Sequence, residues 1–211
     1  RFCRSHEEAL ACVREHAGKA NLYVGASPRS RRIGKREAVT IVTGAWADID
    51  FHQVNQSDRV QAERTSRELF DRFPIRPTIL VHSGNGFQAW WLFVRPYAVS
   101  KAFPVDYFES INRGIARPVH GDAVHDLARV LRVPGTMNLP DARKRARGCV
   151  PVMARLVHAD GPTYTPEDFA ALAVTAAKAE CPHHHTAPLA QPTQDDTEIL
   201  DAFTRLLAGL G

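Results

Sequence analysis

TILVHSGNGFQAWWLFV, residues 78–94, carries the strongest structural signal in this chain of 211 residues. Two runs rich in β-branched and aromatic residues flank Gly84-Asn85-Gly86, whose residues tolerate the positive φ angles of tight hairpin turns. The pattern therefore predicts a β-hairpin. Its second strand, Phe87–Val94, is almost continuously apolar, so we expect it to be an interior strand of a sheet.

Strand and helix patterns alternate on both sides of this hairpin. Apolar residues at helical spacing predict helices, whereas β-branched and aromatic runs predict strands. The predicted helices cover residues 7–16, 57–73 and 103–115, with a short helix or a helix-to-strand transition at 122–131. The predicted strands outside the hairpin cover residues 21–25, 39–44, 46–51 and 150–158, with an interruption at Gly44. Thr165-Pro166 with Asp168 predicts a capped helix start.

Composition indicates a folded chain with a modest basic excess. The net charge is +4, the hydrophobic fraction is 44% and the charged fraction is 24%, which exclude a largely disordered or collagen-like chain. No run approaches the roughly 18 apolar residues that a membrane-spanning helix requires. The four cysteines are far apart, which favours reduced thiols. We expect a cytoplasmic protein with no membrane partner.

The pair Asp48-Ile-Asp50 in WADIDF is the first candidate for chemistry. Residues two apart on a strand point to one face, with Cα atoms about 6.5–7 Å apart, so both carboxylates would face one site. Such a pair repels itself unless a proton or a cation intervenes, and Mg²⁺ or Mn²⁺ suits carboxylate ligands. An acidic pair on a solvated surface loop is the structural alternative.

The second candidate is the glycine-rich segment from Ser83 to Gln88. Glycines allow backbone N–H groups to approach an anion, and Ser83 and Gln88 add side-chain donors, which would suit a triphosphate. The alternative is a hairpin turn that needs glycine only for its geometry.

The third candidate is HDLARVLRVPGTMN, residues 125–138. Asp126 is a further carboxylate, and Arg129 and Arg132 would share a face if the segment were helical. These residues form either a structural ion-pair network or a site in which the carboxylate binds a metal and arginine binds phosphate.

These segments together resemble a known family. NLYVGASPR, WADIDFH, HSGNGFQAWWLF and HDLARVLRVPGTMN follow one another between residues 21 and 138 in the order and spacing of the archaeo-eukaryotic primase (AEP) superfamily. The chain is most similar to the primase-polymerase domains of phage and plasmid replication proteins. The resemblance implies an α+β fold related to the RNA-recognition motif, with a mixed, mainly antiparallel sheet and flanking helices. It also implies a DNA primase and DNA polymerase, a nucleotidyltransferase with two Mg²⁺ or Mn²⁺ ions.

The resemblance also implies roles for individual residues. Asp48, Asp50 and Asp126 would be the catalytic metal ligands, with Asp122 as the fallback for the third carboxylate. The expected nucleotide-binding residues are Ser83, Gly84, Gly86, Gln88, Arg29, Arg129 and Arg132. For the nucleic acid, the basic runs supply Arg31, Arg32, Lys35, Arg143, Lys144 and Arg145, unless these runs are simply solvated loops.

Gln88 departs from the family pattern, because the family usually has histidine at this position. Glutamine donates a hydrogen bond but carries no charge, so nucleotide binding would be weaker or nearby arginines would compensate. A catalytically weakened module that binds single-stranded nucleic acid or nucleotides is therefore the alternative function. We also weighed a rolling-circle initiator, whose His-x-His pattern occurs here only within the proline-flanked run of His183 to His185.

The predicted organisation is a catalytic core over residues 1–160 and a helical tail over 161–211. The tail contains a Pro- and His-rich linker at about 180–194 and a final amphipathic helix, Asp195 to Leu210. Cys181 with His183, His184 and His185 matches no standard zinc spacing, so we expect no structural zinc. The expected partners are a single-stranded DNA template, a primer, ribo- or deoxyribonucleoside triphosphates and a fused or associated helicase.

Overall fold

A computed structural model describes residues 1–55, 57–146 and 149–173. The α-helices among these described residues are α1 (His6–His16), α2 (Phe51–Val54), α3 (Arg59–Arg72), α4 (Val105–Ala116) and α5 (Ala142–Ala146). The strands in the same ranges are β1 (Tyr23–Gly25), β2 (Ile41–Asp50), β3 (Ile79–His82), β4 (Gly86–Ala98), β5 (Val130–Arg132), β6 (Met137–Asn138), β7 (Val152–Met153) and β8 (Arg155–His158). Short 3-10 turns lie at Arg36–Ala38 and Pro166–Phe169.

The centre of the fold is a four-stranded antiparallel sheet with the strand order β2-β4-β3-β8. The predicted hairpin is confirmed as β3 and β4, and β4 is an interior strand because β2 and β3 pair with its two edges. Two small antiparallel ribbons, β1 with β5 and β6 with β7, complete the described strands. The α+β class with a mainly antiparallel sheet is therefore confirmed.

Strand β2 runs without a break through Gly44, so the predicted interruption there is wrong. A Cβ atom at Gly44 would lie 2.6 Å from the backbone oxygen of Trp91, which shows that glycine lets β2 and β4 approach closely. The pairing register shifts between Val42 and Gly44, a local irregularity that does not end the strand. Here glycine serves close packing rather than strand termination.

The two faces of the sheet have different surroundings. On one face, the Phe87 ring packs against Phe51 of α2 and Phe70 of α3, with ring centroids 5.3 and 6.4 Å apart. On the other face, Asp48 lies directly across from Gln88. The ribbon of β1 and β5 reaches this second face, since the Arg132 backbone N–H donates to Gln88 Oε1 over 2.8 Å. One face is thus an aromatic core, and the other carries the acidic pair.

Residues 122–131 contain no helix, so neither the predicted short helix nor the predicted helix-to-strand transition is present, although a strand does begin at Val130. The chain passes from an irregular segment into β5, and the Asp122 N–H donates to the Asp48 carbonyl oxygen over 2.7 Å. Arg129 and Arg132 therefore do not share a helical face. Pairing with β1 and anchoring to β2 replace the hydrogen bonds that a helix would have supplied.

The packed core extends past the boundary that we predict at residue 160. Phe169 is fully buried and its ring centroid lies 6.3 Å from that of Phe93. Thr165 and Asp168 form the predicted capping box, although the helix is a single 3-10 turn. The predicted linker, the cluster of Cys181 with its histidines and the final helix lie outside the described residues.

None of the described helices combines the length and the apolar composition that crossing a membrane requires.

Candidate active site

Asp48 and Asp50 lie at the end of β2 on one face of the strand, as their spacing predicts. Asp48 is partly buried, whereas Asp50 is exposed and caps α2 by accepting the His52 N–H at 2.9 Å. Strand β2 ends at this cap. The Asp48 carboxylate is therefore held within the sheet, and the Asp50 carboxylate is held at the edge of the sheet.

The pKa of Asp48 is raised to about 6; burial is the largest cause, and the charges of Asp122 and Asp50 act in the same direction. A hydrogen bond from Gln88 and the charge of Arg129 act in the opposite direction and lower it. The three carboxylates are therefore close enough to repel one another, which is the situation that a bound cation relieves.

Asp122, the fallback for the third carboxylate, is the residue that the structure brings to the acidic pair. Its backbone N–H is bonded to the Asp48 carbonyl, and its Oδ1 is buried without a hydrogen-bond partner. Burial and the charge of Asp50 raise its pKa. Asp126 lies instead beside Arg29, where its charge opposes the lowering of the Arg29 pKa by burial. The geometry thus favours Asp122 over Asp126.

Arg129 is the cation of this cluster. Its charge lowers the pKa of both Asp48 and Asp122, and its Nε is buried without a hydrogen-bond partner. The Arg129 carbonyl accepts the Ala26 N–H at 2.9 Å, so the β1–β5 ribbon fixes its position. An arginine N–H that has no hydrogen-bond partner, and that lies close to carboxylates able to bind a metal, is suited to bind phosphate oxygens.

Gln88 is bound at both ends of its amide. Oε1 accepts the Arg132 N–H at 2.8 Å, which leaves Nε2 to donate to Asp48 Oδ2 over 3.2 Å. The side chain is buried. The structure therefore places Gln88 as a link between β5 and the Asp48 carboxylate, whereas the resemblance implied a contact with nucleotide.

Arg132 and Arg29 also have protein partners. Arg132 is 5% exposed, and its guanidinium donates to Asn21 Oδ1 at 2.7 Å and Asn138 Oδ1 at 3.1 Å. Burial lowers its pKa. Arg29 donates to the carbonyl of Ser27 through Nη1. Arg132 is thus a buried structural residue beside the site, and Arg29 keeps its other donors near Asp126.

The turn at Ser83, Gly84, Asn85 and Gly86, called here the glycine turn, is closed by its own hydrogen bonds. Both the backbone N–H and the hydroxyl of Ser83 donate to the Gly86 carbonyl, at 2.8 and 3.1 Å. Gly84 has φ +100°, and a Cβ at Gly86 would lie 2.0 Å from the Ile49 carbonyl oxygen. Backbone geometry therefore accounts for both glycines.

The basic runs predicted to contact nucleic acid are on the surface. Arg31, Arg32 and Lys35 are exposed in the loop before β2, and Arg143, Lys144 and Arg145 are exposed on α5. Arg36, next to the first run, is paired with Asp106 and Glu109.

The donor set at the end of β2 fits a hard divalent cation. Asp48, Asp50 and Asp122 offer carboxylate oxygens, one of them buried without a partner. Within residues 1–55, 57–146 and 149–173, no three His, Cys, Asp or Glu side chains converge tightly enough to enclose a metal ion. Mg²⁺ commonly binds one or two carboxylates and completes its shell with water and substrate phosphates, so an open acidic pair is compatible with it.

Comparison with solved structures identifies the fold. The AEP domain of the cyanophage S-2L primase-polymerase (PrimPol) superposes with a TM-score of 0.54 at 16% identity, covering 78% of this chain and 76% of that one. The chain has the fold of an AEP domain. A crystal structure of primase RepB′ matches with a TM-score of 0.36 at 17% identity, over 62% of this chain and 38% of that one. No family model and no curated protein matches the sequence.

The AEP fold also brings in residues that the sequence reasoning did not assign to the site. Asn21, Tyr23 and Asn138 surround the Arg132 guanidinium, and Asn138 Nδ2 further donates to the Ser83 carbonyl over 3.0 Å. All three lie within or beside the quoted segments. Their polar side chains next to strand residues were the signal that could have indicated them.

Proposed function

We propose that this chain is a template-dependent nucleotidyltransferase, a DNA primase and polymerase acting in phage or plasmid replication. The observation that carries the proposal is the acid cluster, defined as Asp48, Asp50, Asp122 and Arg129, at the end of β2 on an AEP fold. Carboxylates for divalent metal beside a cation for phosphate are what phosphoryl transfer requires of a protein.

Asp48 and Asp50 would hold Mg²⁺ or Mn²⁺, with Asp122 completing the acidic wall. When bound, these ions would neutralise phosphate charge and favour ionisation of the attacking hydroxyl. The chain itself fixes the carboxylates: the α2 cap holds Asp50, and Gln88 holds Asp48. The Arg129 donor without a partner would bind phosphate oxygens of the incoming triphosphate.

In the proposed reaction the 3′-hydroxyl oxygen of the growing strand bonds to the α-phosphorus of a nucleoside triphosphate. The bond from that phosphorus to the bridging oxygen breaks, pyrophosphate leaves and the hydroxyl proton passes to solvent. The residues of the site supply position and electrostatic stabilisation and form no covalent intermediate.

Single-stranded DNA template, primer and nucleoside triphosphates are the proposed substrates, and the exposed cations of the loop before β2 and of α5 would contact the phosphate backbone. A cytoplasmic location and a fused or associated helicase belong to the same proposal. Electrostatic binding to a single strand would weaken as salt rises, with a slope of about −0.7 per neutralised phosphate.

The engaged amide of Gln88 favours a second candidate, a weakened module that binds nucleic acid or nucleotide without transfer. A neutral amide already bonded through both its oxygen and its nitrogen offers a triphosphate no charge and only the second Nε2 hydrogen.

One experiment separates the two functions. The chain is incubated with a primed single-stranded template, Mg²⁺ or Mn²⁺ and labelled triphosphates. We expect extension products, and we expect Asp48→Ala and Asp50→Ala to reduce them at least about a thousandfold, because a lost metal ligand removes transition-state stabilisation. Asp71→Ala, which removes an exposed ion pair on α3, is the matched control and should keep full activity. Binding without extension by the native chain would favour the second candidate.

A further inference from the structure

Tyr23 is a half-exposed aromatic residue that lies over a buried arginine. It stands directly across from Arg132 in the β1–β5 ribbon, and the residue as a whole is 50% exposed. The Arg132 guanidinium carbon is 4.4 Å from the ring centroid, and Nη2 donates to the Tyr23 hydroxyl over 2.7 Å. One side of the ring is therefore covered by the cation, and the accessible area belongs to the rest of the residue.

The ring is held in place because Arg132 is itself fixed. Its guanidinium is bonded to Asn21 and Asn138, and its backbone N–H is bonded to Gln88. A surface tyrosine is ordinarily free to change rotamer, but two contacts with an immobile guanidinium restrict this one. Because folding already orders the ring, little further side-chain entropy of Tyr23 is lost when a ligand stacks on it.

Hydrogen bonds connect this ring to the acid cluster. Tyr23 contacts Arg132, the Arg132 N–H is bonded to Gln88, and Gln88 is bonded to Asp48. Val130, two residues before Arg132 in β5, is 49% exposed and lies across from Gly25, which has no side chain to cover it. The ribbon thus presents an open, partly apolar surface that three successive contacts connect to Asp48 of the acid cluster.

We propose that the Tyr23 ring is a stacking platform for a nucleobase bound at this site. The inference rests on the proposed function, since it takes the ligand to be a nucleotide or a single strand. A rigid aromatic face accepts any base, and it is most useful beside a site that must accept all four. The alternative role for Tyr23 is only to shield the Arg132 guanidinium from solvent. That role uses the hydroxyl and the face of the ring over the guanidinium, and it does not account for the exposed part of the residue.

The test uses binding, so that it does not depend on catalysis. Short single-stranded oligonucleotides with one abasic position moved along the strand are titrated against the native chain, Tyr23→Leu and Tyr23→Phe. If the platform binds a base of the strand, the native chain should have one position at which loss of the base weakens binding about tenfold. In that case Tyr23→Leu should bind the intact strand about tenfold more weakly and lose the sensitivity to that position. Tyr23→Phe keeps the ring and should behave like the native chain.

A second arm asks which nucleobase is bound. A nucleoside triphosphate and inorganic tripolyphosphate are titrated against the same three proteins. If the base belongs to the incoming nucleotide, Tyr23→Leu weakens the nucleoside triphosphate alone and leaves oligonucleotide binding unchanged. If the base belongs to the strand, the abasic position identifies it, and 2-aminopurine placed there should be quenched by the native chain and by Tyr23→Phe.

Two results would overturn the proposal. One is a folded Tyr23→Leu that binds every ligand as the native chain does. The other is equal weakening in Tyr23→Phe and Tyr23→Leu with no dependence on the abasic position, which would show a cover for Arg132. Urea unfolding of each variant checks the fold. Failure of nucleotide incorporation by the native chain would count against the proposed function and leave the binding result standing.

Discussion

The acid cluster and the glycine turn both contain residues for which the family resemblance implies a role, yet they differ in how their polar atoms are satisfied. In the cluster, Asp122 Oδ1 and Arg129 Nε are buried without hydrogen-bond partners. In the turn, Ser83 donates twice to Gly86, and the Gly84 N–H donates to His82 Nδ1 at 3.1 Å. Buried atoms without partners also occur elsewhere, as at Thr43 and Ser66, but in the cluster they belong to two charged groups beside the acidic pair, where a ligand would supply the missing bonds.

This difference has an energetic basis. A buried polar atom without a partner costs roughly 1–3 kcal/mol, and more when it belongs to a charged group, so a ligand that supplies the missing bond relieves the larger cost in the cluster. The turn bears no such cost, and its glycines are required by φ and by the approach of β2. Substitution in the turn should therefore affect folding, whereas substitution in the cluster should affect chemistry.

Gly86→Ala is the largest expected effect. Its Cβ would lie 2.0 Å from the Ile49 carbonyl oxygen, so β2 and β4 must separate where they pair most closely. We expect the free energy of unfolding to fall by about 3 kcal/mol or more, measured by urea denaturation. Gly34→Ala, at a position with no atom within 4 Å of a new Cβ, should change it by less than about 0.5 kcal/mol. A native-like Gly86→Ala would show that the turn needs glycine for ligand contact.

The third carboxylate gives the next effect. Asp122→Asn removes the charge that faces Asp48 and Asp50, whereas Asp126→Asn removes one that faces Arg29. We expect nucleotide incorporation to fall about a hundredfold, or about 2.7 kcal/mol, in the first variant and by less than about threefold in the second. The opposite ranking would restore Asp126 as the third carboxylate.

Asp48→Asn should stabilise the fold while it abolishes activity. The folded pKa of Asp48 is about 6 against an ordinary value of 3.8, so folding favours its protonated form. This contribution to stability is complete below about pH 4 and is lost as the pH rises to about 6. Asparagine is neutral throughout, so the variant should exceed the native chain by about 2 kcal/mol at pH 7 without divalent cations.

Urea unfolding between pH 4 and pH 7, with a chelator present, measures this difference. It should grow with pH and level off above pH 6. Equal stabilities at pH 7 would show that the site tolerates the ionised carboxylate without a cation.

The parts of the fold that were predictable are those with strong local patterns. The β3–β4 hairpin, the continuous apolar run of β4 and the capping box at Thr165 follow from residues adjacent in sequence. Gly44 was misinterpreted because its role depends on Trp91, a residue 47 positions away in a paired strand. Local sequence shows a glycine but not the backbone that approaches it.

The candidate site shows the same difference between features set by residues adjacent in sequence and features set by residues distant in sequence. The spacing of Asp48 and Asp50 fixed their common face, because the period of a strand is two. The choice between Asp122 and Asp126 depended on the irregular path of the chain after α4. The common face of Arg129 and Arg132 was conditional on a helix, and the structure has a strand there instead. Gln88 shows the limit most clearly, since its partners Asp48 and Arg132 are 40 and 44 residues distant.

Gln88 provides the smallest expected effect and the closest comparison of the two regions, because it follows the glycine turn in sequence but contacts the acid cluster. Gln88→Leu keeps the volume and removes both hydrogen bonds, so Asp48 loses its orientation and the Arg132 N–H loses its acceptor. We expect kcat to fall about tenfold, or 1.4 kcal/mol, with KM for the triphosphate within about twofold of native. Gln88→His, which retains one donor and one acceptor, should recover part of the loss. A raised KM with unchanged kcat would instead show that Gln88 contacts the nucleotide and that its bonds to Asp48 and Arg132 open when substrate binds.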